Sequence, residues 1–282
     1  MQHPRDVLQG PQAAATAIPV CDHYSGAPDR MQKSLQLQAA MTAEFGVCVF
    51  DVTLDCEDGA AVGAEAEHAV LVAQLVRGAA PEARVAARVH PVNHPAFSGD
   101  VATIAGEAGH RLCHVMLPKC ESVDDVLAAE RALERAGART LPLHVLIESP
   151  AAVQQAFAIA AHPRVQSLSF GLMDFVSAHA GAIPASAMGS VGQFEHPLVV
   201  RAKLEIASAC HAHGKVPSHC VVTEFSDLAA LRSAAQQACS RFGFTRMWSI
   251  HPAQIGPILG AFAPAAQDVD AAARVLLADA KA

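Results

Sequence analysis

Six short apolar runs in this chain end in charged or polar residues, and those residues define the chemistry open to it. They are Asp55-Cys-Glu57-Asp58-Gly59, Arg88-Val-His90, Leu117-Pro-Lys119, Ile147-Glu148-Ser-Pro150, Phe170-Gly171-Leu-Met-Asp174 and Ser249-Ile250-His251-Pro252. Glu148 and Asp174 end successive runs, so two carboxylates meet at one place. Like charges held together repel, and a hard divalent cation between them is the electrostatically favoured arrangement. Mg²⁺ is the expected ion, because it takes oxygen ligands and keeps open positions for water and substrate. Arg88 is the expected third member, since its planar guanidinium fork matches a carboxylate or enolate oxygen. Gly171, Leu172, Met173 and Asp174 are expected to form a loop whose backbone N–H groups receive a substrate carboxylate. Lys119, His251 and His90 read as further rim residues.

Such residues converge only if their runs are neighbouring strands. The candidate strands are 18–21, 47–54, 85–89, 113–117, 143–147, 165–170, 216–217 and 247–250. Their near-continuous apolarity suits parallel strands covered on both faces. Amphipathic stretches at about 29–45, 65–77, 99–109, 122–137, 150–161, 195–213, 226–242 and 253–261 alternate with them. Ser122 and Ser226-Asp227 supply N-terminal caps, and Gly137 and Gly214 supply stops. Eight strand–helix pairs are what a closed α/β barrel, the (β/α)8 TIM barrel, requires, with catalytic groups gathered at the C-terminal strand ends. An open doubly wound sheet fits the same alternation, but no Gly-x-Gly-x-x-Gly follows the first run and no P-loop lysine is present. The expected organisation is a loose N-terminal arm over 1–15, one barrel domain over 16–282, and an extra C-terminal helix over 268–282.

Composition narrows the partners. Charged residues are 17% of the chain and the net charge is −7, so no basic stripe awaits a phosphate backbone and no nucleic acid partner is expected. No apolar run approaches the roughly 20 residues that span a bilayer, and the N-terminus lacks a signal architecture, so a cytoplasmic protein is expected. Eight cysteines occur without a Cys-x-x-Cys and read as reduced and mostly buried. His211-x-His213 with His219 resembles a zinc set only superficially, because two residues apart on a helix point to different faces.

Taken together, LDCED (54–58), RVH (88–90), LPKCES (117–122), IESP (147–150), FGLMD (170–174) and SIHPAQI (249–255) occur in order across most of the chain. In this the sequence resembles the citrate lyase beta-subunit-like branch of the HpcH/HpaI aldolase superfamily. The resemblance implies a Mg²⁺-dependent carbon–carbon lyase, of retro-Claisen or retro-aldol type, acting on a short hydroxyacyl-CoA such as malyl-, citramalyl- or citryl-CoA. By that analogy Glu148 and Asp174 bind the metal and Arg88 stabilises an enolate or carbonyl oxygen, while Glu57 and Asp58 hold metal-bound water and orient Arg88. It also implies a homo-oligomer, trimeric or hexameric. The alternative within the superfamily is a CoA-independent class II-type aldolase acting on pyruvate or oxaloacetate. Three departures stand out. Residues 18–26 lack the usual Arg-containing start, His90 replaces an Asn, and the sequence stops at Ala282, soon after its IHP motif, so the acid that thioester-cleaving relatives offer from a longer C-terminal lid is unaccounted for.

Overall fold

The computed structural model describes residues 18–279; the arm expected over 1–15 lies outside the described residues. Eight parallel strands close into a barrel in sequence order. They are β1 (Cys21–Ser25), β2 (Phe50–Asp55), β3 (Val85–Arg88), β4 (Leu112–Leu117), β5 (Leu143–Ile147), β6 (Val165–Phe170), β7 (Val216–His219) and β8 (Arg246–Ser249). Between them run α1 (Pro28–Phe45), α2 (Glu65–Gly78), α3 (Val123–Arg135), α4 (Pro150–Ala161), α5 (Leu172–Ser177), α6 (Pro197–Ala212) and α7 (Leu228–Phe242). An irregular helical run over 97–111 joins β3 to β4, and α8 (Ile255–Phe262) and α9 (Ala266–Asp279) follow β8. The barrel and the extra C-terminal helix expected from the sequence are both present.

The alternation along β2 shows how the barrel is filled. Phe50, Val52 and Leu54 join the large apolar shell between strands and helices, while Asp51, Thr53 and Asp55 fall on the opposite, lumenal side. Each fully buried Val, Leu, Ile, Phe or Met side chain in that shell contributes about 1.5–3 kcal/mol of transfer free energy. Helix ends are secured locally: Ser122 and Asp125 form a capping box at the start of α3, and the Asp227 carboxylate accepts from Ala229 and Ala230 at the start of α7.

The lumen is stratified. At the N-terminal end Arg246 Nη2 lies 2.6 Å from Asp51 and 2.9 Å from Asp22, and Arg84 Nε lies 2.5 Å from Asp51. Thr53 donates to Asp22 at 2.7 Å. His114 and His144 stack beside them with centroids 3.5 Å apart. Burial and then Arg246 push His144 down to about 3, and burial with its neighbour lowers His114 as well, so both rings are neutral. Above this layer Tyr24, Met116, Leu146 and Trp248 pack as a separate apolar cluster.

The first strand corrects the expectation. It covers Cys21–Ser25 rather than 18–21, because its register against β8 pairs Asp22 with Trp248 and brings Asp22 to the buried Arg246. A charged partner in the lumen makes Asp22, His23 and Tyr24 acceptable strand residues, which their polarity alone disguised.

Candidate active site

The C-terminal mouth of the barrel opens into a cavity of about 1030 Å³ whose lining includes Asp55, Asp58, Arg88, Glu148, Gly171 and Asp174. Arg88, the last residue of β3, reaches across to the end of β2. Its Nε and Nη2 donate to the two Asp55 oxygens at 2.6 and 2.5 Å, and Nη1 lies 3.1 Å from Glu57 Oε2. This is a bidentate fork with a second carboxylate behind it. Burial opposes the charge on Arg88, but Asp55 and then Glu57 outweigh it, so the guanidinium stays protonated. Burial would likewise raise Asp55, yet Arg88 and the backbone N–H groups of Glu57 and Gly59 hold it below the usual carboxylate range.

Asp55 is therefore the residue that fixes Arg88. Asp58 does not meet Arg88; it points to solvent and lies 3.4 Å from Lys119 Nζ, which also pairs with Glu57. Orientation of Arg88 thus divides between Asp55 and Glu57, and Asp58 takes no part in it. Gly59 must be glycine here: its N–H donates to Asp55 Oδ2 at 2.8 Å, and an added Cβ would collide with that same oxygen.

Glu148 follows β5. Ser149 caps α4 by accepting from Ala152 at 3.0 Å, and Pro150 occupies the first helical position, so the chain turns sharply and leaves Glu148 at the strand end, 5% exposed. Its Oε1 accepts the Lys119 backbone N–H at 2.5 Å, and Lys119 adopts a left-handed φ of 49° to make that contact. One residue thus ties the two acidic groups together, its backbone on Glu148 and its side chain on Glu57. Burial first, and Asp174 within hydrogen-bonding reach second, push Glu148 up to about 8.

Asp174 lies in the first turn of α5. The expected substrate loop over 171–174 is instead a strand end running straight into that helix, with Gly171 donating to Ile147 O at 3.0 Å. Leu172 is buried and Met173 is 55% exposed. At Gly171 a Cβ would stand 2.5 Å from both Cβ and Oε2 of Glu148; the glycine makes room for the carboxylate.

The remaining rim residues separate. His251 lines the cavity, stacks on Phe225 at 5.0 Å and accepts from Ala253 at the entrance to α8. His90 turns away to Asp100, 2.6 Å from Nδ1, and is absent from the cavity lining. His211 meets Gly243 O at 2.7 Å, and His219 is buried between Phe194 and Phe244. The sequence places Asp55 among the strand-end acids without giving it a role, and it does not single out Tyr24, Trp248, or Arg30 and Lys33, which stand on α1 at the cavity mouth.

Glu148 and Asp174 suit a Mg²⁺ ion. The donors are hard oxygens, two carboxylates held together repel unless a cation lies between them, and a glycine clears the space beside them. Among the described residues, sets of three His, Cys or Asp donors within 4.8 Å occur only at the lumen base, as Asp22/His114/His144 and Asp51/Cys113/His114. The near-parallel stack of the two rings, 12° apart, keeps one ion from lying in both imidazole planes. Arg246 already supplies positive charge there, so this layer is an ion-pair network.

Residues 34–252 match the HpcH/HpaI aldolase/citrate lyase family, and the chain belongs to it. A citrate lyase from Burkholderia xenovorans LB400 is 46% identical, and its crystal structure superimposes with a TM-score of 0.85, covering 100% of this chain and 87% of that one. The L-malyl-CoA/beta-methylmalyl-CoA lyase of Cereibacter sphaeroides is 29% identical over 246 residues, 80% of this chain and 76% of that protein. The citrate lyase beta subunit of Mycobacterium tuberculosis complexed with oxaloacetate and magnesium is 22% identical, with a TM-score of 0.70 over 88% of this chain and 99% of that one. At that identity the likeness shows the fold.

Proposed function

We propose that this protein is a Mg²⁺-dependent carbon–carbon lyase that cleaves a short hydroxyacyl-CoA, of the malyl-, citramalyl- or citryl-CoA kind, into an acyl-CoA and a 2-oxo acid. The observation that carries the reading is that two unlike charge sets line one cavity: the acidic pair Glu148–Asp174, and beside it Arg88, clamped by Asp55 and Glu57. Glu148 and Asp174 would hold the ion, and two protein carboxylates leave the other positions of an octahedral Mg²⁺ to water and to the substrate's own oxygens. When bound, the ion supplies Lewis-acid polarisation of the hydroxyl or carbonyl oxygen on the acid half.

The side chains supply the rest. Arg88 has five N–H donors; two donate to Asp55 while Nη1 pairs with Glu57 at 3.1 Å, which leaves donors for a ligand oxygen. As the carbon–carbon bond breaks, the hydroxyl gives up its proton and becomes the oxo group. The bond's electron pair passes to the thioester half as an enolate that then takes up a proton to give the acyl-CoA, and a fixed buried guanidinium stabilises the enolate oxygen without reorganising. Asp55 holds the fork in place, and Lys119 keeps Glu57 behind it. Arg30 and Lys33 at the mouth give an anionic carrier such as coenzyme A a favourable approach. Glycine at 171 leaves Glu148 free to face the cavity.

We further infer that the protein works as a homo-oligomer in the cytoplasm. The family resemblance implies a homo-oligomer, and eight free cysteines suit a reducing compartment. Among the described residues no helix is long and apolar enough to cross a membrane.

The test is direct. The protein is incubated with Mg²⁺ and malyl-, citramalyl- and citryl-CoA, and separately with the corresponding free hydroxy- and oxo-acids, and products are read by mass spectrometry. Thioester cleavage is expected; cleavage of free acids alone would establish the CoA-independent aldolase instead. Glu148→Ala is expected to lose turnover together with the Mg²⁺-induced rise in melting temperature, and retention of both would remove Glu148 from the metal site.

A further inference from the structure

The strand order divides the barrel mouth into two halves. Strands β2 to β6 and the turns after them carry Asp55, Arg88, Lys119, Glu148 and Asp174. The adjoining strands β7, β8 and β1 bring Val221, Trp248, Ile250 and Tyr24 to the same cavity. Arg30 and Lys33 stand only at the outer lip, on α1. His23, on β1, is hydrogen-bonded to Ser249 at 3.0 Å and pushed down to about 4 by burial, so it adds no charge at neutral pH. A ligand whose oxygens are held on the charged half therefore directs its carbon chain toward the uncharged half.

That half has a floor. Trp248 and Tyr24 are the chain's only tryptophan and only tyrosine, and they stack on each other with centroids 4.4 Å apart and planes 21° apart. Met116 and Leu146, both fully buried, pack with them and Val221 adjoins, so the floor is backed by closely packed side chains and does not yield to a longer ligand. The floor is also joined to the charged half, because Arg88 Cζ lies 5.6 Å from the Tyr24 ring centroid. An atom bonded to an oxygen on Arg88 is consequently within a few bonds of the aromatic surface.

We propose that Trp248, supported by Tyr24, is the specificity-determining residue for the acyl group: the alkyl part of the thioester half rests on its indole, and the floor limits that part to about one or two carbons beyond the reacting carbon. The proposal rests on the lyase reading above, with Glu148, Asp174 and Arg88 holding the oxygens. Closely packed apolar pockets discriminate single methylenes by roughly 10-fold or more, and an aromatic floor backed by buried Met116 and Leu146 belongs to that class.

The experiment compares kcat/KM for a series of malyl-CoA analogues carrying hydrogen, methyl, ethyl or propyl on the carbon next to the thioester. Wild type is expected to lose about 10-fold or more from methyl to ethyl and again from ethyl to propyl. Trp248→Leu is expected to raise the ethyl-to-methyl ratio by at least about 10-fold, and Trp248→Phe to raise it by less. Both variants should keep the Mg²⁺-induced melting shift. Ratios equal to wild type in either folded variant would overturn the floor while leaving the lyase assignment untouched.

If wild type cleaves no thioester, the lyase reading fails and the floor is judged without turnover. Melting shifts with Mg²⁺ and glyoxylate, pyruvate, 2-oxobutyrate or 2-oxovalerate are then compared between wild type and Trp248→Phe. A preference for short chains that relaxes in the variant supports the floor, and identical series overturn it. Trp248 emission gives a second reading in wild type, since no other indole contributes. Propionyl-CoA with Mg²⁺ should change its intensity or maximum, and free coenzyme A should not; an emission indifferent to propionyl-CoA at saturation counts against the proposal.

Discussion

Replacing Asp55 by Asn tests the clamp on Arg88 more sharply than replacing Arg88 itself. The Asp55 carboxylate accepts from Arg88 Nε and Nη2 at 2.6 and 2.5 Å, and from the Glu57 and Gly59 backbone at 2.9 and 2.8 Å. The pair is nearly enclosed, with 3% of the Asp55 side chain and 10% of the Arg88 side chain exposed. Breaking a buried pair by removing one charge costs about 3–5 kcal/mol, most of it from the ion left behind. Asn keeps one acceptor oxygen, and Glu57 at 3.1 Å remains as a weaker counter-charge, which places the expected loss at about 3 kcal/mol. Urea unfolding at pH 7 measures that loss. Turnover should fall further, by about 10²–10³, the usual consequence of removing one aligned oxyanion donor. Asp58→Asn is the control, because Asp58 is more than half exposed, and its stability change should stay within about 0.5 kcal/mol. An Asp55→Asn protein within about 1 kcal/mol of wild type that retains its turnover would refute the assignment of the clamp to Asp55.

Two further outcomes follow from residues near the cavity. Gly171→Ala should fold, since its φ of −96° suits any residue, but the new methyl must displace Glu148; the Mg²⁺ concentration that half-saturates the melting shift is expected to rise at least about 10-fold, as for lost supports of a metal ligand, and an unchanged value would disprove the crowding. Lys203, fully buried against Phe194 and hydrogen-bonded to Gln193 at 3.0 Å, is lowered by burial to about 8. A lowered base means the unfolded chain holds more protons between pH 8 and 10.5, so stability rises with pH across that window and the full penalty stands below it. The shift corresponds to about 3 kcal/mol; the Phe194 ring, 3.8 Å from Nζ, favours the ammonium by up to about 2 kcal/mol, leaving a rise of about 1–2 kcal/mol. Lys203→Met should abolish that rise in urea melts at pH 7.5 and 10, and a variant with the wild-type pH slope would show that another group is responsible.

Much of this architecture could be read from the chain. Strands β2 to β6 announce themselves because their outward faces are apolar and join the shell against the helices, although lumenal positions such as Asp51, Thr53, His114, His144, Ser167 and Ser169 are polar. β1 was displaced by three residues because Asp22, His23 and Tyr24 read as a loop; only the knowledge that Arg246 waits in the lumen makes them a strand. The carboxylates at 148 and 174 were legible because each directly follows a strand. Asp55 was hidden among three acids within four residues, where composition cannot say which one faces inward. The period-two alternation of Asp51, Thr53 and Asp55 against Phe50, Val52 and Leu54 was the available signal. Trp248 offered none, since a tryptophan in a strand is far more often shell than floor.

The charged layer at the lumen base also bears on how the chain reaches its native state. Arg246 meets Asp51 across 195 residues of sequence and Pro19 across 227, so the first and last strands are joined by partners made almost a full chain length apart. Contacts of such separation form late. Until they do, β1 and β8 present open edges, Asp22 lacks its cation and Asp51 has only Arg84. A ribosome-bound or truncated chain ending before residue 246 would therefore be held short of closure by charge as well as by missing backbone pairing, and would expose the strand edges that favour aggregation. The same layer guards against misassembly: a β8 slipped by one position would turn Arg246 into the apolar shell, so a one-residue slip is disfavoured.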